Sequence, residues 1–255
     1  MIKDKLLNYQ RKRRVTFLGI GPMSLNCIDV AIKLANKYEI PLFLIASRRQ
    51  IECDELGGGY VNNWSTELFS SYVNKKDKKG KIFLARDHGG PWQNPNEVDK
   101  NMGIGEAMEL AKKSFLADIK SGFKILHIDP SIDIHSNPSI DETLERVYEL
   151  YEFCWTQAQR LQKDLVFEIG TEEQSGGTNT PEELEYILSS LKSFCSNNKL
   201  PFPTFVVIQS GTKVLETSNV GSFDSPIRIA NQIPAEIQLP KMLKICKQFD
   251  VMMKS

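Results

Sequence analysis

The feature that most constrains this chain is a unit repeated along it: a short apolar run, a polar loop, then a stretch with helical spacing. The runs are Val15 to Gly21, Pro41 to Ser47, Lys81 to Arg86, Phe123 to Asp129, Asp164 to Gly170 and Thr204 to Ser210. All are rich in Val, Ile, Leu and Phe, the composition of strands buried on both faces. Between two of them, Ile104 to Ser121 carries Ala107, Leu110, Ala111, Phe115 and Ile119 on one helical face and stops at Gly122. Ser139 to Leu161 opens with Ser139 and has Glu142 three residues on, the capping-box spacing. Another helix starts near Thr180, with Pro181 as its first residue, and runs to Asn198. Alternating strand and helix implies parallel strands with right-handed crossovers, hence a doubly wound sheet or a barrel.

The polar residues choose between the two. Ser24 follows the first run, Arg48, Arg49 and Gln50 the second, and Asp87 and His88 the third. His127 and Asp129 close the fourth, Glu168, Thr171 and Glu172 the fifth, and Gln209 and Ser210 the sixth. An open sheet concentrates ligand contacts at one switch point; a barrel draws them from many strand ends. The pattern predicts a (β/α)₈ barrel, and 255 residues suit one such domain. Residues 1–14 read as an N-terminal extension, with Arg11, Lys12, Arg13 and Arg14 as a solvated basic run. After a helix from Pro234 to Lys247, Phe249 to Met253 reads as a seventh strand, and no residues remain for an eighth unit. The expectation is therefore an incomplete TIM barrel of seven strands, whose first and seventh strands are open edges.

Charge and cysteine content exclude several classes of function. The 32 basic residues balance the 32 acidic ones, so no overall field draws the chain to nucleic acid or an anionic membrane. No apolar run approaches the roughly 20 residues of a membrane span, and the first residues lack the apolar core of a secretory signal. Five scattered cysteines without a CxxC pair fit reduced thiols, which makes the cytoplasm the expected compartment.

Strand alternation sorts the chemistry. Ile125, His127 and Asp129 share one face, as do Val166, Glu168 and Gly170. With neighbouring strands about 4.8 Å apart, His88, His127 and Glu168 come within reach of one divalent metal, Zn, Mg or Mn. A hydrogen-bonded structural cluster uses the same residues. Asp87 and Glu172 are the catalytic candidates. Arg48, Arg49, Gln50, Asp129 and Gln209 are candidates for binding a phosphorylated sugar; the two arginines either pair bidentately with its phosphate or form an ordinary surface pair. Gly57-Gly58-Gly59 is either a phosphate-binding turn or a plain one. Gly19 and Gly21 do not make a dinucleotide fingerprint, because the third glycine is missing and Pro22 removes a donor.

Asp87-His88-Gly89-Gly90-Pro91-Trp92-Gln93, preceded by Gly58-Gly59-Tyr60 and followed by Ile169-Gly170-Thr171-Glu172, forms an ordered series of motifs. This series resembles the class II ketose-bisphosphate aldolases, and most closely the so-called non-catalytic subunit of tagatose-1,6-bisphosphate aldolase, over residues 45 to 215. The resemblance implies that Asp87 is a general acid and His88 a metal ligand. It also implies a catalytic aldolase subunit, or a second copy of the chain, as partner. Two further metal-binding histidines of the catalytic enzymes have no counterpart here, since His88, His127 and His135 are the only histidines. The segment matching the first of the two reads Gln209-Ser210-Gly211-Thr212. The resemblance therefore leaves three readings: an accessory subunit, a metal-dependent aldolase or epimerase acting on sugar phosphates or nucleotide sugars, or an inactive truncated barrel.

Overall fold

The computed structural model describes residues 2–13, 15–170, 180–208, 212–215, 218–221 and 235–254. The apolar runs become strands β1 (Leu18–Ile20), β2 (Leu42–Ser47), β3 (Ile82–Gly89), β4 (Ile125–Ile128), β5 (Val166–Ile169) and β6 (Phe205–Val207). A hairpin of β7 (Thr212–Leu215) and β8 (Ser218–Gly221) follows, and β9 (Met252–Lys254) is the last strand. Around them lie helices α1 (Ile2–Arg13), α2 (Leu25–Tyr38), α3 (Thr66–Lys76), α4 (Pro95–Asp99), α5 (Ile104–Ser121), α6 (Ile140–Arg160), α7 (Pro181–Asn197) and α8 (Ala235–Gln248).

Seven strands form one sheet in the order β1-β2-β3-β4-β5-β6-β9, every neighbouring pair parallel. The β7–β8 hairpin is antiparallel and separate, and the sequence pattern gave no sign of it. The main sheet is curled. Four strand spacings separate β2 from β6, about 19 Å in a flat sheet, yet the rings of Phe43 and Phe205 are 6.2 Å apart. Among the described residues β1 and β9 are not paired, so the architecture is a half-barrel, an incomplete TIM barrel.

Period-2 alternation divides the strands into two layers. Phe43, Ala85, Ile125, Val166 and Phe205 pack together in the interior of the curl. Leu44, Leu84, Leu126, Ile128, Phe167 and Ile169 face outward and pack beneath the helices. Capping fixes where the helices begin: Ser139 with Glu142 and Thr180 with Glu183 both form complete capping boxes. Gly122, at φ +85°, closes α5 in the left-handed conformation that glycine adopts without strain.

The N-terminal segment differs from expectation. Residues 2–13 are the helix α1, and its Ile2 and Leu6 lie buried in the interior cluster with Phe43 and Ile125. Arg11, Lys12 and Arg13 of the basic run form the exposed end of this helix. Two side chains four residues apart lie on one helical face, and burying each contributes roughly 1.5–3 kcal/mol. The segment seals the interior from the end opposite the polar strand termini.

Candidate functional site

The third strand ends in Asp87-His88-Gly89-Gly90. Strict alternation sends Asp87 and His88 to opposite faces. Instead the β3–β4 register slips between Arg86 and Gly89, and His88 sits at φ +45°. This bulge re-aims the strand so that both side chains reach the interior mouth. It depends on the two glycines that follow. A Cβ on Gly89 would lie 2.4 Å from Cζ of Phe115, and one on Gly90 would lie 2.2 Å from the Asp129 carbonyl oxygen.

Two linked groups result. In the first, His88 Nδ1 lies 2.6 Å from Asp129 Oδ2. Asp129 is held in turn by Gln93 Nε2 at 3.2 Å and by the Ser131 hydroxyl and amide. In the second, the His88 main-chain N–H donates to His127 Nδ1 at 3.1 Å, and Glu168 Oε1 and Asp87 Oδ1 lie 3.2 and 3.7 Å from that nitrogen. Lys254 completes it: its Nζ donates to Glu168 Oε1 at 2.5 Å and to Asp87 Oδ1 at 3.2 Å. The structure thus brings Asp87, His88, His127, Asp129 and Glu168 to one mouth of the half-barrel, and adds a lysine that the sequence reading missed.

Burial and charge set the protonation states. Burial alone would raise the Asp87 carboxyl, but the His127 ring, Lys254 and His88 beside it hold it well below the usual carboxylate range. Burial would lower the His88 imidazole, but the Asp129 hydrogen bond and the charges of Asp129 and Asp87 push it up to about 9. Asp129 is lowered in spite of its burial, chiefly by His88. Burial likewise opposes the Lys254 ammonium, and the charges of Glu168 and Asp87 more than reverse it. At neutral pH the mouth therefore holds carboxylates at Asp87 and Asp129 and cations at His88 and Lys254.

The other candidates fall elsewhere. Arg48 is buried, and each nitrogen of its guanidinium is committed: Nε to Glu52 at 2.7 Å, Nη2 to Glu97 at 2.5 Å and Nη1 to the Gly90 carbonyl at 2.7 Å. In place of the expected phosphate pairing, Arg48 anchors the loop that follows β3. Gln50 accepts from the Ser47 amide at 3.0 Å and donates to Met23 Sδ, which ties the β2 end to the loop before α2. Arg49 is exposed. The amides of Gly57, Gly58 and Gly59 donate to the carbonyls of Asp54, Cys53 and Trp64, so this segment is a closed turn and not a phosphate cradle. Glu172 and Gln209 lie outside the described residues.

Beneath these loops lies a second, wholly buried ion pair. Arg86 makes a bidentate contact to Asp118 of α5, at 2.8 and 2.6 Å, and donates to the carbonyls of Ala46 and Ile51. Glu52 receives Ser114 Oγ at 2.7 Å and the Cys53 amide at 2.8 Å. This network fixes the loops that carry the mouth.

Metal-ligating atoms converge in two groups among the described residues: His88, His127 and Asp129, and Asp87, His127 and Glu168. The expected set of His88, His127 and Glu168 is thus divided between them, with His127 common to both. In the second group a nitrogen that accepts a main-chain hydrogen bond faces two carboxylates. With the Nδ1 lone pair given to the His88 amide, the carboxylate oxygens are the available donors, and they suit a hard divalent cation, Mg²⁺ or Mn²⁺, better than zinc. The five cysteines are unpaired, and no described helix is long and apolar enough to cross a membrane.

A curled parallel α/β sheet with carboxylates and imidazoles at the C-terminal ends of its strands defines a TIM-barrel-type protein with a polar mouth. The chain belongs to the D-tagatose-1,6-bisphosphate aldolase subunit GatZ/KbaZ-like family, whose model matches residues 4–194. Among solved structures it is similar to the "probable tagatose 6 phosphate kinase" of Sinorhizobium meliloti 1021, with a TM-score of 0.69 and 20% identity. That match covers 94% of this chain and 58% of the other, so the chain spans little more than half the length of this relative. The fructose-bisphosphate aldolase of Campylobacter jejuni matches with a TM-score of 0.58 and 13% identity, covering 98% of this chain and 67% of the other. The YdjI aldolase of Escherichia coli K12 matches with a TM-score of 0.53 and 14% identity, covering 99% and 70%. At these identities the solved structures establish the fold.

Proposed function

We propose that the chain acts in the cytoplasm as an accessory subunit of a tagatose-bisphosphate aldolase, assisting a catalytic class II aldolase subunit on phosphorylated ketoses. One observation carries this reading. Asp87, the residue that the aldolase resemblance casts as a general acid, is held as a carboxylate with Lys254 as its counter-ion 3.2 Å away. A group that moves a proton works best with a pKa near the working pH, and a carboxylate held far below it and paired with Lys254 is a poor acid for condensation and a poor base for cleavage. Asp87 in this setting serves charge placement instead. Lys254 and His88 are each paired with carboxylates of the mouth, and the buried Arg48 and Arg86 networks keep the surrounding loops in place.

The second reading, a metal-dependent carbon–carbon lyase or epimerase, is favoured by the donor set of Asp87, Glu168 and His127 Nδ1. A divalent cation there would supply Lewis-acid polarisation of a carbonyl oxygen. The deciding experiment mixes the purified chain with a catalytic class II tagatose-bisphosphate aldolase subunit. It follows co-elution and the half-life of cleavage activity. The accessory reading expects a complex and a longer-lived or higher activity. Unchanged partner activity without co-elution contradicts it.

A further inference from the structure

Lys254 occupies one of the two side-chain groups that could hold a cation. The carboxylates of Asp87 and Glu168, together with His127, form one of the two groups able to hold a cation, and the Lys254 ammonium contacts an oxygen of each carboxylate. The placement comes from the fold and not from a wandering surface side chain. The β9 strand pairs in register with β6, Val207 opposite Lys254, and Met252 packs against the interior cluster. Alternation then sends Lys254, two residues on, to the same interior face. Its side chain is 24% exposed and that of Glu168 5%, so bulk water screens the contact little. A divalent ion bound by the same two oxygens would have to displace the ammonium or sit beside a like charge in a poorly screened site.

We propose that Lys254 is a built-in cation that closes the Asp87–Glu168 pair to divalent metals, so that the intact chain binds Mn²⁺ weakly and loss of the lysine opens a Mn²⁺ site. The ligands of the opened site are the Asp87 and Glu168 carboxylates, oxygen donors suited to a hard dication, with His127 Nδ1 joining them where it releases the His88 amide. Lys254 thereby determines cation specificity. It leaves in the mouth an ammonium paired with two carboxylates, a counter-ion that a chelator cannot remove. The inference goes beyond the accessory role and does not depend on any partner.

The test titrates Mn²⁺ into the full chain, wild type and Lys254→Met, by calorimetry and by the spin-resonance signal of free Mn²⁺. The expected result is weak binding to the wild type and one site at least tenfold tighter in Lys254→Met. Adding Asp87→Asn to that variant should remove the gain. Lys254→Gln provides a second polar replacement, with circular dichroism reporting the fold of each. A wild type that binds one equivalent of Mn²⁺ as tightly as the variants overturns the proposal, as does a folded variant without gain. Loss of folding in both variants that Mn²⁺ does not rescue also overturns it, because the dication should then replace the missing charge.

Discussion

Asp118→Ala is the sharpest probe of how the mouth is supported. Asp118 and Arg86 are both fully buried, and the two carboxylate oxygens receive Nε and Nη2 at 2.8 and 2.6 Å. Removing the carboxylate leaves a guanidinium without its counter-ion in the interior, where Glu52 is the other acidic group acting on it. Breaking a buried pair from one side costs about 3–5 kcal/mol. For a chain of this size each kcal/mol lowers the melting temperature by about 2–4 °C, so the expected drop is roughly 6–20 °C. Urea unfolding followed by circular dichroism, with calorimetry for the midpoint, measures it. The double variant Arg86→Met with Asp118→Leu removes both charges and leaves the carbonyls of Ala46 and Ile51 without this donor, at about 1–3 kcal/mol each. Together these amount to about 2–6 kcal/mol, which overlaps the single-variant loss, so the single variant is the diagnostic one. A single-variant loss below about 1 kcal/mol, the range of exposed pairs, would refute the reasoning.

Two further outcomes are expected. Asp129→Asn should bring the His88 imidazole from about 9 back towards its ordinary value, as read by NMR titration. Because the folded state raises His88, its stabilising contribution is complete below the ordinary imidazole range near pH 6.5 and is lost as pH rises through about 9. The wild type should thus lose more melting temperature over that window than Asp129→Asn, and equal losses would contradict the assignment. Leu6→Ala, at a side chain 1% exposed in the interior cluster, should cost about 2–5 kcal/mol; a loss below 0.5 kcal/mol, the range typical of surface changes, would show that α1 does not seal the barrel.

Much of this molecule is legible in its sequence because two periods dominate it. Six apolar runs became β1 to β6, and the segment from Phe249 to Met253 contributed β9. Ser139 and Thr180 cap the helices that their spacing predicts. His127, Asp129 and Glu168 share a face because strands alternate, and the structure places them accordingly. Other features depend on context that alternation does not carry. His88 reaches the mouth through a bulge, where strict period-2 reading would turn it away. Lys254 follows Met252 by two residues and so shares its interior face, but a lysine at a strand end reads as solvated until pairing with β6 buries it. The basic run at the end of α1 masked the spacing of Ile2 and Leu6. Arg48 reads as a phosphate ligand because its partners, Glu52 and Glu97, approach only in the folded chain. For Arg86 and Asp118 a signal was present: an arginine within an apolar strand run, and an aspartate on the helical stripe of Ala107, Ala111 and Ser114.

The account's central claim is that this mouth places charge without completing an aldolase by itself. The most direct measurement is cleavage of tagatose 1,6-bisphosphate and fructose 1,6-bisphosphate by the purified chain alone, with and without added Zn²⁺, Mg²⁺ or Mn²⁺. Because the Lys254 pair and a strongly lowered pKa make Asp87 a poor base for aldol cleavage, the expected result is no turnover above background under any of these conditions. Turnover at about 1 s⁻¹ or faster, the ordinary range of enzymes, would contradict it.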